Sequence, residues 1–262
     1  MIKLRRTTPY FEAAFAAGVT GATVVVADSD STLFFFEDDD NDGDYTWTPT
    51  AGQTLGIQGN DYALFIELDG DEYLSISRAN RTMPIDSIGY EFREQMIGQP
   101  EGIYAQVYAR DSIGIGDVYW IQAYKNGQFL NKPQEMNLVY DETFGPGDGD
   151  ITADTSLSLI IPPLRLGINR LPDFEDDAID NTDVPPYAIG DSIRVEIHSL
   201  TLEAFFYLFQ AREQLINGDN GIFAVPVTNL PTNVFPREED AKENPIGFFC
   251  VSRVSSEEIK IE

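Results

Sequence analysis

Asp38, Asp40 and Asp42 alternate along the chain and are followed by Gly43 and Asp44. Alternate carboxylates that converge on one point suit a hard cation such as calcium, and a glycine at the sixth position lets such a loop turn sharply. The pattern stops halfway, because the twelfth position, where a bidentate Glu would close the coordination sphere, is Pro49. Two readings follow. One is a weak calcium site made by Asp38, Asp40, Asp42 and Asp44. The other is a solvated hairpin loop between a strand ending at Glu37 and a strand over Tyr45-Thr46-Trp47. Two further acidic groups, Asp148, Gly149, Asp150 and Asp154, and then Asp173, Glu175, Asp176, Asp177, Asp180 and Asp183, have no spacing that specifies a metal and read as solvated charge runs.

Other chemistry is sparse. There is one histidine, His198, on the polar side of an alternating segment, and neither a Gly-rich serine motif nor a histidine pair accompanies it, so serine–histidine and zinc chemistry lack their usual signatures. The single cysteine, Cys250, lies in the apolar run from Ile246 to Val251 and reads as a small buried thiol. It rules out an internal disulfide. With 44 acidic residues, a pair of carboxylates placed for glycoside hydrolysis remains open as a less favoured reading. No catalytic residue is assigned, and no cofactor beyond the calcium candidate.

The elements that must position these groups are strands. The chain has 262 residues, 42% hydrophobic and 12% aromatic, with a formal charge of −27. That much apolar content folds despite the charge, and the charge itself argues against nucleic acid as a partner. No stretch is long and apolar enough to span a membrane as a helix, and the basic start Met1-Ile2-Lys3-Leu4-Arg5-Arg6 has no apolar signal core behind it.

Short apolar runs broken by turn residues every 8–12 positions predict a sandwich from Lys3 to about Asn80. Segments 22–27 and 32–37 form one hairpin, and 63–68 and 72–77 another across Asp69-Gly70-Asp71. Arg78 to Pro84 reads as the linker, giving domains over 1–82 and 83–262. In the second domain, 103–109 alternates with period two, and 118–124 meets 128–130 across Asn126-Gly127. Segment 141–191 reads as long loops around one strand at 157–161, where ligand contacts would fit. A strand over 193–197 leads into one amphipathic helix at about 200–217, capped by Ser199, with Leu202, Phe205, Phe206, Phe209 and Ile216 on its core face. Segment 246–254 is predicted to close the fold as a strand, and 257–262 to fray or form an edge. The fold class is therefore all-β: an Ig-like β-sandwich followed by a second β-rich, sandwich-like domain with one helix.

Several segments taken in order resemble the Bacteroidota outer-membrane lipoprotein family catalogued as domain-of-unknown-function family 4249. They are Arg5-Arg6-Thr7-Thr8-Pro9-Tyr10-Phe11, Val19-Thr20-Gly21-Ala22-Thr23-Val24, Met83-Pro84-Ile85-Asp86-Ser87-Ile88, Lys125-Asn126-Gly127, Gly190-Asp191-Ser192-Ile193, Pro231-Thr232-Asn233-Val234 and Ile246-Gly247-Phe248-Phe249. The resemblance implies a lipid-anchored binding protein at the cell surface, accessory to a TonB-dependent nutrient receptor, with a small-molecule or peptide ligand. A structural or adhesive Ig-like surface module is the alternative. The resemblance also implies a lipobox cysteine and a first strand ahead of Met1, which this sequence does not contain. With that strand missing, Lys3 to Thr7 is expected to form an edge or a poorly paired strand.

Overall fold

A computed structural model describes residues 1–7, 16–96, 99–110, 116–140, 164–171, 184–218, 230–238, 241 and 244–262. In chain order its strands are β1 (Ile2–Lys3), β2 (Thr23–Asp28), β3 (Leu33–Phe36), β4 (Asp44–Tyr45), β5 (Asp61–Leu68), β6 (Asp71–Arg78), β7 (Ile85–Arg93), β8 (Gly102–Ala109), β9 (Val118–Lys125), β10 (Gln128–Phe129), β11 (Asn137–Tyr140), β12 (Leu164–Gly167), β13 (Ser192–Leu200), β14 (Phe235–Pro236) and β15 (Val254–Lys260). Helix α1 (Leu202–Gly218) follows β13 directly. Among the described residues the fold is all-β with one long helix. It divides into two compact units, Met1–Ala79 with Asn229–Val251, and Asn80–Thr228 with Ser252–Glu262. The division after Ala79 falls inside the stretch expected to be a linker, and segment 229–251 returns to the first unit.

The first unit is built on a five-stranded antiparallel sheet in the order β14-β6-β5-β2-β3. Its hairpins turn where local chemistry demands: Asp69 and Gly70 both have positive φ (54° and 88°), and the Asp28 carboxylate accepts from the amides of Asp30 (2.9 Å) and Thr32 (2.8 Å). Val24, Val26, Phe34, Phe36, Tyr62, Leu64 and Ile66 fill one face and pack with Ile2, Leu4, Tyr45, Trp47, Phe249 and Val251, which makes the sandwich-like second layer.

Two expectations meet different outcomes here. Lys3 to Thr7 begins in a two-stranded sheet and so lies at an edge, one of the two forms expected, but it is paired rather than poorly paired. β1 pairs β4, the Leu4 amide donates to Gly43 O (2.9 Å), Val19 donates to Leu4 O (3.0 Å), and Arg6 donates to Ala17 O (2.8 Å). Segment 246–253 is not a strand. Side chains replace the missing ladder: Asn233 donates to Phe249 O and accepts from Phe249 N, both at 2.8 Å, Thr232 Oγ1 donates to Gly247 O (2.8 Å), and Ser77 Oγ accepts from Val251 N (3.0 Å). Phe249 and Val251 are buried by this arrangement, while Cys250 between them is half-buried. Thus Pro231-Thr232-Asn233-Val234 and Ile246-Gly247-Phe248-Phe249, quoted above for a family resemblance, meet in space as an anchor for the chain's return.

In the second unit, a sheet ordered β10-β9-β13-β15, with β11 also on β9, faces a sheet ordered β12-β8-β7 across a core of Ala105, Val107, Ile121, Ala123, Ile193, Val195 and Ile197. The hairpin at Asn126-Gly127 has the positive φ angles (51° and 79°) that a tight two-residue turn requires. Asn126 also donates to Asp191 Oδ1 (2.8 Å) and accepts from Ser192 N (2.8 Å), fixing the start of β13. The segment expected as a linker is anchored: Asn80 donates to Leu200 O (2.7 Å), Thr82 to Ile197 O (2.9 Å), and Arg81 Nε to Asp117 (2.7 Å). β15 is a paired edge strand rather than a frayed tail, in register with β13 from Ser192↔Lys260 to His198↔Val254. Within 141–191 the described strand is β12, which pairs β8, whereas 157–161 lies outside the described residues.

Helix α1 starts later than its pattern predicts, because Leu200 completes β13. Thr201 caps it, accepting from Ala204 N (3.2 Å), while Ser199 is buried in the sheet, donating to Asn80 O and accepting from Arg253 N at 3.0 Å each. Of the expected aromatic core stripe only Phe205 is buried; Phe206 and Phe209 are exposed.

Candidate functional site

β13 alternates Ile193, Val195 and Ile197 toward the core with Arg194, Glu196 and His198 on the opposite face. The antiparallel register with β9 sets Arg194 beside Tyr124, Glu196 beside Gln122, and His198 beside Trp120. On the far side of β9, Phe129 of β10 lies opposite Tyr124, and Leu138 of β11 opposite Trp120. On the far side of β13, Ser256 and Glu258 of β15 face Glu196 and Arg194. The period of two thus gathers three aromatic rings and six polar side chains on one sheet face.

Glu196 is the hub of that face. Its Oε1 pairs with Arg194, and its Oε2 lies 3.2 Å from both the Tyr124 hydroxyl and His198 Nε2. The Tyr124 hydroxyl also donates to Gln122 Oε1 (2.8 Å). The Arg194 guanidinium sits 3.8 Å from the centroid of the Tyr124 ring, an attraction that strengthens as water is excluded. Phe129 packs against Tyr124 at 5.1 Å and against Trp120 at 6.1 Å, and Trp120 lies 6.1 Å from the His198 ring. All except buried Gln122 are half-buried, so His198 is not the exposed strand histidine that polarity alone predicts. Burial pushes its imidazole down to about 4. It is therefore neutral at pH 7, donating from Nε2 to Glu196 and leaving Nδ1 as an acceptor. The face offers flat rings for stacking, guanidinium donors and an imidazole acceptor, a combination suited to holding a polar ligand that has an apolar face.

The acidic loop is organised differently. Glu37 and Thr46 exchange backbone hydrogen bonds at 2.8 Å each, closing 38–45 as a hairpin loop. Asp38 turns both oxygens inward, accepting from Asp42 N (3.0 Å) and Gly43 N (3.1 Å), and Asp42 accepts from Asp44 N (2.8 Å). Asp44 pairs with Lys3 (2.7 Å) and Arg5. The Lys3 hydrogen bond, with Arg5 beside it, holds the Asp44 carboxyl below the usual carboxylate range. Asp40 is exposed. Among the described residues no three His, Cys, Asp or Glu side chains are placed to hold a metal ion. Gly43 has a further reason to be glycine: besides its φ of 81°, a Cβ there would lie 2.6 Å from Leu4 O and 2.7 Å from Gly18 Cα, contacts too close to form. The acidic groups over 148–154 and 173–183 lie outside the described residues.

Sequence reasoning passed over Trp120, Gln122, Tyr124, Phe129, Arg194 and Glu196. The signal was present as three polar positions alternating in β13, but their partners come from strands about 70 residues earlier in the chain, and only register joins them.

The family model described as Domain of unknown function (DUF4249) matches residues 1–258. No curated protein matches the chain.

Proposed function

We propose, because the chain belongs to the DUF4249 family, that it is a binding protein of the bacterial outer-membrane surface, lipid-anchored and accessory to a TonB-dependent nutrient receptor, rather than an enzyme. The observation that carries the binding role is the face of β9 and β13. There Glu196 orients Arg194, Tyr124 and His198 beside the Trp120 and Phe129 rings, as a preorganised recognition surface requires. The location and the receptor rest on the resemblance of the segments quoted above. The acidic surface implied by a charge of −27 disfavours nucleic acid and anionic lipid as ligands of this face.

Tagging the protein at its own locus tests the reading. Fractionation should place it with the outer membrane, and affinity purification should bring down a TonB-dependent receptor. Trp120→Ala should then lower uptake of the receptor's nutrient several-fold while co-purification is retained. Recovery in the cytosol, or a receptor indifferent to deletion of the protein, overturns it. Association with a filament or secretion component would mark an adhesive module instead.

A further inference from the structure

The outer face of the sheet in the first unit breaks the usual alternation of a sandwich. Facing away from the core are Leu33 and Phe35 of β3, Val25 and Ala27 of β2, Ala63 and Phe65 of β5, Leu74 and Ile76 of β6, and Phe235 of β14. Register lines them up. Phe35, Val25, Phe65, Leu74 and Phe235 form one row across all five strands, and Leu33, Ala27, Ala63 and Ile76 form a second beside it. Within these two rows there is no charge. Charged residues begin one step further out, at Glu67 and Glu72 on one side and Asp61 and Arg78 on the other, and much of that rim is paired internally as Glu72–Arg237 (2.6 Å) and Asp61–Arg78 (3.6 Å).

Strands that are apolar on both faces are characteristic of sheets covered on both sides, yet this face is open: Ile76 is 71% exposed, Phe35 58%, Phe235 57%, Leu33 46% and Leu74 40%. Together these side chains leave on the order of 600 Å² of apolar surface uncovered, the upper end of what a monomer usually shows.

We infer that this face is a homodimer interface, in which the β14-β6-β5-β2-β3 sheets of two copies pack face to face through Phe35, Phe65, Leu74, Ile76 and Phe235. A twisted apolar sheet face is matched in shape by another of the same twist, and two sheets stacked in this way interdigitate at about 10 Å separation. A two-fold axis makes the patch self-complementary. Two copies would bury about 1,200 Å², the lower bound for a specific interface. The paired rim lets the copies approach, whereas the net charge of −27 on each opposes them at long range and weakens as salt screens it. The dimer is therefore modest in affinity and tightened by salt, the reverse of an association built on ion pairs.

Sedimentation velocity on the full chain, from about 10 to 300 µM in about 0.05 M and 0.5 M NaCl, reads this directly. The expected result is a monomer–dimer equilibrium that tightens severalfold at the higher salt. Ile76→Asp and Phe35→Asp should each weaken it at least about tenfold, with a melting temperature unchanged at dilutions where the wild type is monomeric, since both side chains already lie in water in the monomer. Phe206→Asp, at an exposed apolar site on α1 of the other unit, should leave it intact. A monomer at every concentration and salt overturns the inference, whether the patch then proves open to a hydrophobic dye, implying a different partner, or closed to it. So does a dimer that survives both Asp variants, or one lost equally with Phe206→Asp.

Discussion

The loop at 38–44 and the face of β9 and β13 invert each other. The loop displays its chemistry in the sequence, with carboxylates at regular spacing and a glycine in the expected place, and in the fold Asp38 accepts from backbone amides while Asp44 pairs with Lys3 and Arg5. The sheet face shows only alternation in the sequence, yet it assembles a carboxylate, a guanidinium, an imidazole and three rings within contact of one another. Charge density advertises a site poorly, because a cluster of acids close in sequence is also the cheapest way to satisfy a tight turn. Register brings together groups that no local pattern predicts.

The largest effect expected from this comparison is at a residue with no chemistry. A Cβ on Gly18 would overlap the Asp42 carbonyl, a backbone neighbour that cannot swing aside. Gly18→Ala should cost about 3 kcal/mol, read as the shift in urea midpoint at constant m-value. Asp40→Asn, on an exposed side chain of the same loop, should stay within about 0.5 kcal/mol. If the two variants were equal, the loop would not be an element of backbone packing. Glu196→Ala comes next at about 2 kcal/mol, because it leaves the half-buried Arg194 guanidinium without its carboxylate, while the Tyr124 hydroxyl keeps Gln122. A smaller loss there would mean that Arg194 is held mainly by the Tyr124 ring.

His198 gives a smaller, pH-dependent effect. Its imidazole is pushed down to about 4 by burial, against an ordinary value near 6.5, so between those values the unfolded chain binds more protons than the folded one. Stability should therefore fall as pH drops from about 6.5 toward 4, with no contribution from this group above that window. The full shift would be worth about 3 kcal/mol. Burial is the cause of that shift; the groups that face the ring are Glu196, 3.2 Å away, and Trp120 and Val254, its uncharged neighbours on β9 and β15. A loss of about 1–2 kcal/mol is expected. Many carboxylates titrate in the same range, so the measurement is the difference between wild type and His198→Gln in urea midpoints at pH 6.5, 5.5 and 4.5. The variant should fall less steeply. Parallel lines would mean that the imidazole titrates as a solvated one.

The fold was readable where structure is local. Asp69-Gly70 and Asn126-Gly127 set hairpins through their own φ angles, and the 193–197 alternation fixed the core face of β13. It was less readable where side chains do the work of backbone. Segment 246–251 has the apolar content of a strand, but Pro245 precedes it and Gly247 has a φ of 137°. Asn233, Thr232 and Ser77 from distant segments satisfy it instead. The charged tail from Glu257 left fraying and an edge strand both open, and it forms the edge, which needs only one covered face. The helix stripe misled for a related reason: a period of 3.6 identifies an apolar side without showing whether anything packs on all of it, and only Phe205 is buried.

The smallest expected effect is that of calcium. At 38–44 a cation would share the Asp38 oxygens with the amides of Asp42 and Gly43, which leave lone pairs free, but would compete with Lys3 and Arg5 for Asp44. With two positive side chains already on that carboxylate, a bound ion gains little over the resting loop. On this protein, with its charge of −27, millimolar divalent cations still relieve general repulsion. Calcium and matched magnesium should therefore raise the melting temperature alike, by about 1 °C, and Asp40→Asn should leave both responses unchanged. A calcium response clearly above that of magnesium and lost in Asp40→Asn would mean that the loop reorganises into the half-motif its sequence displays. The comparison with the sheet face would then describe only the cation-free molecule.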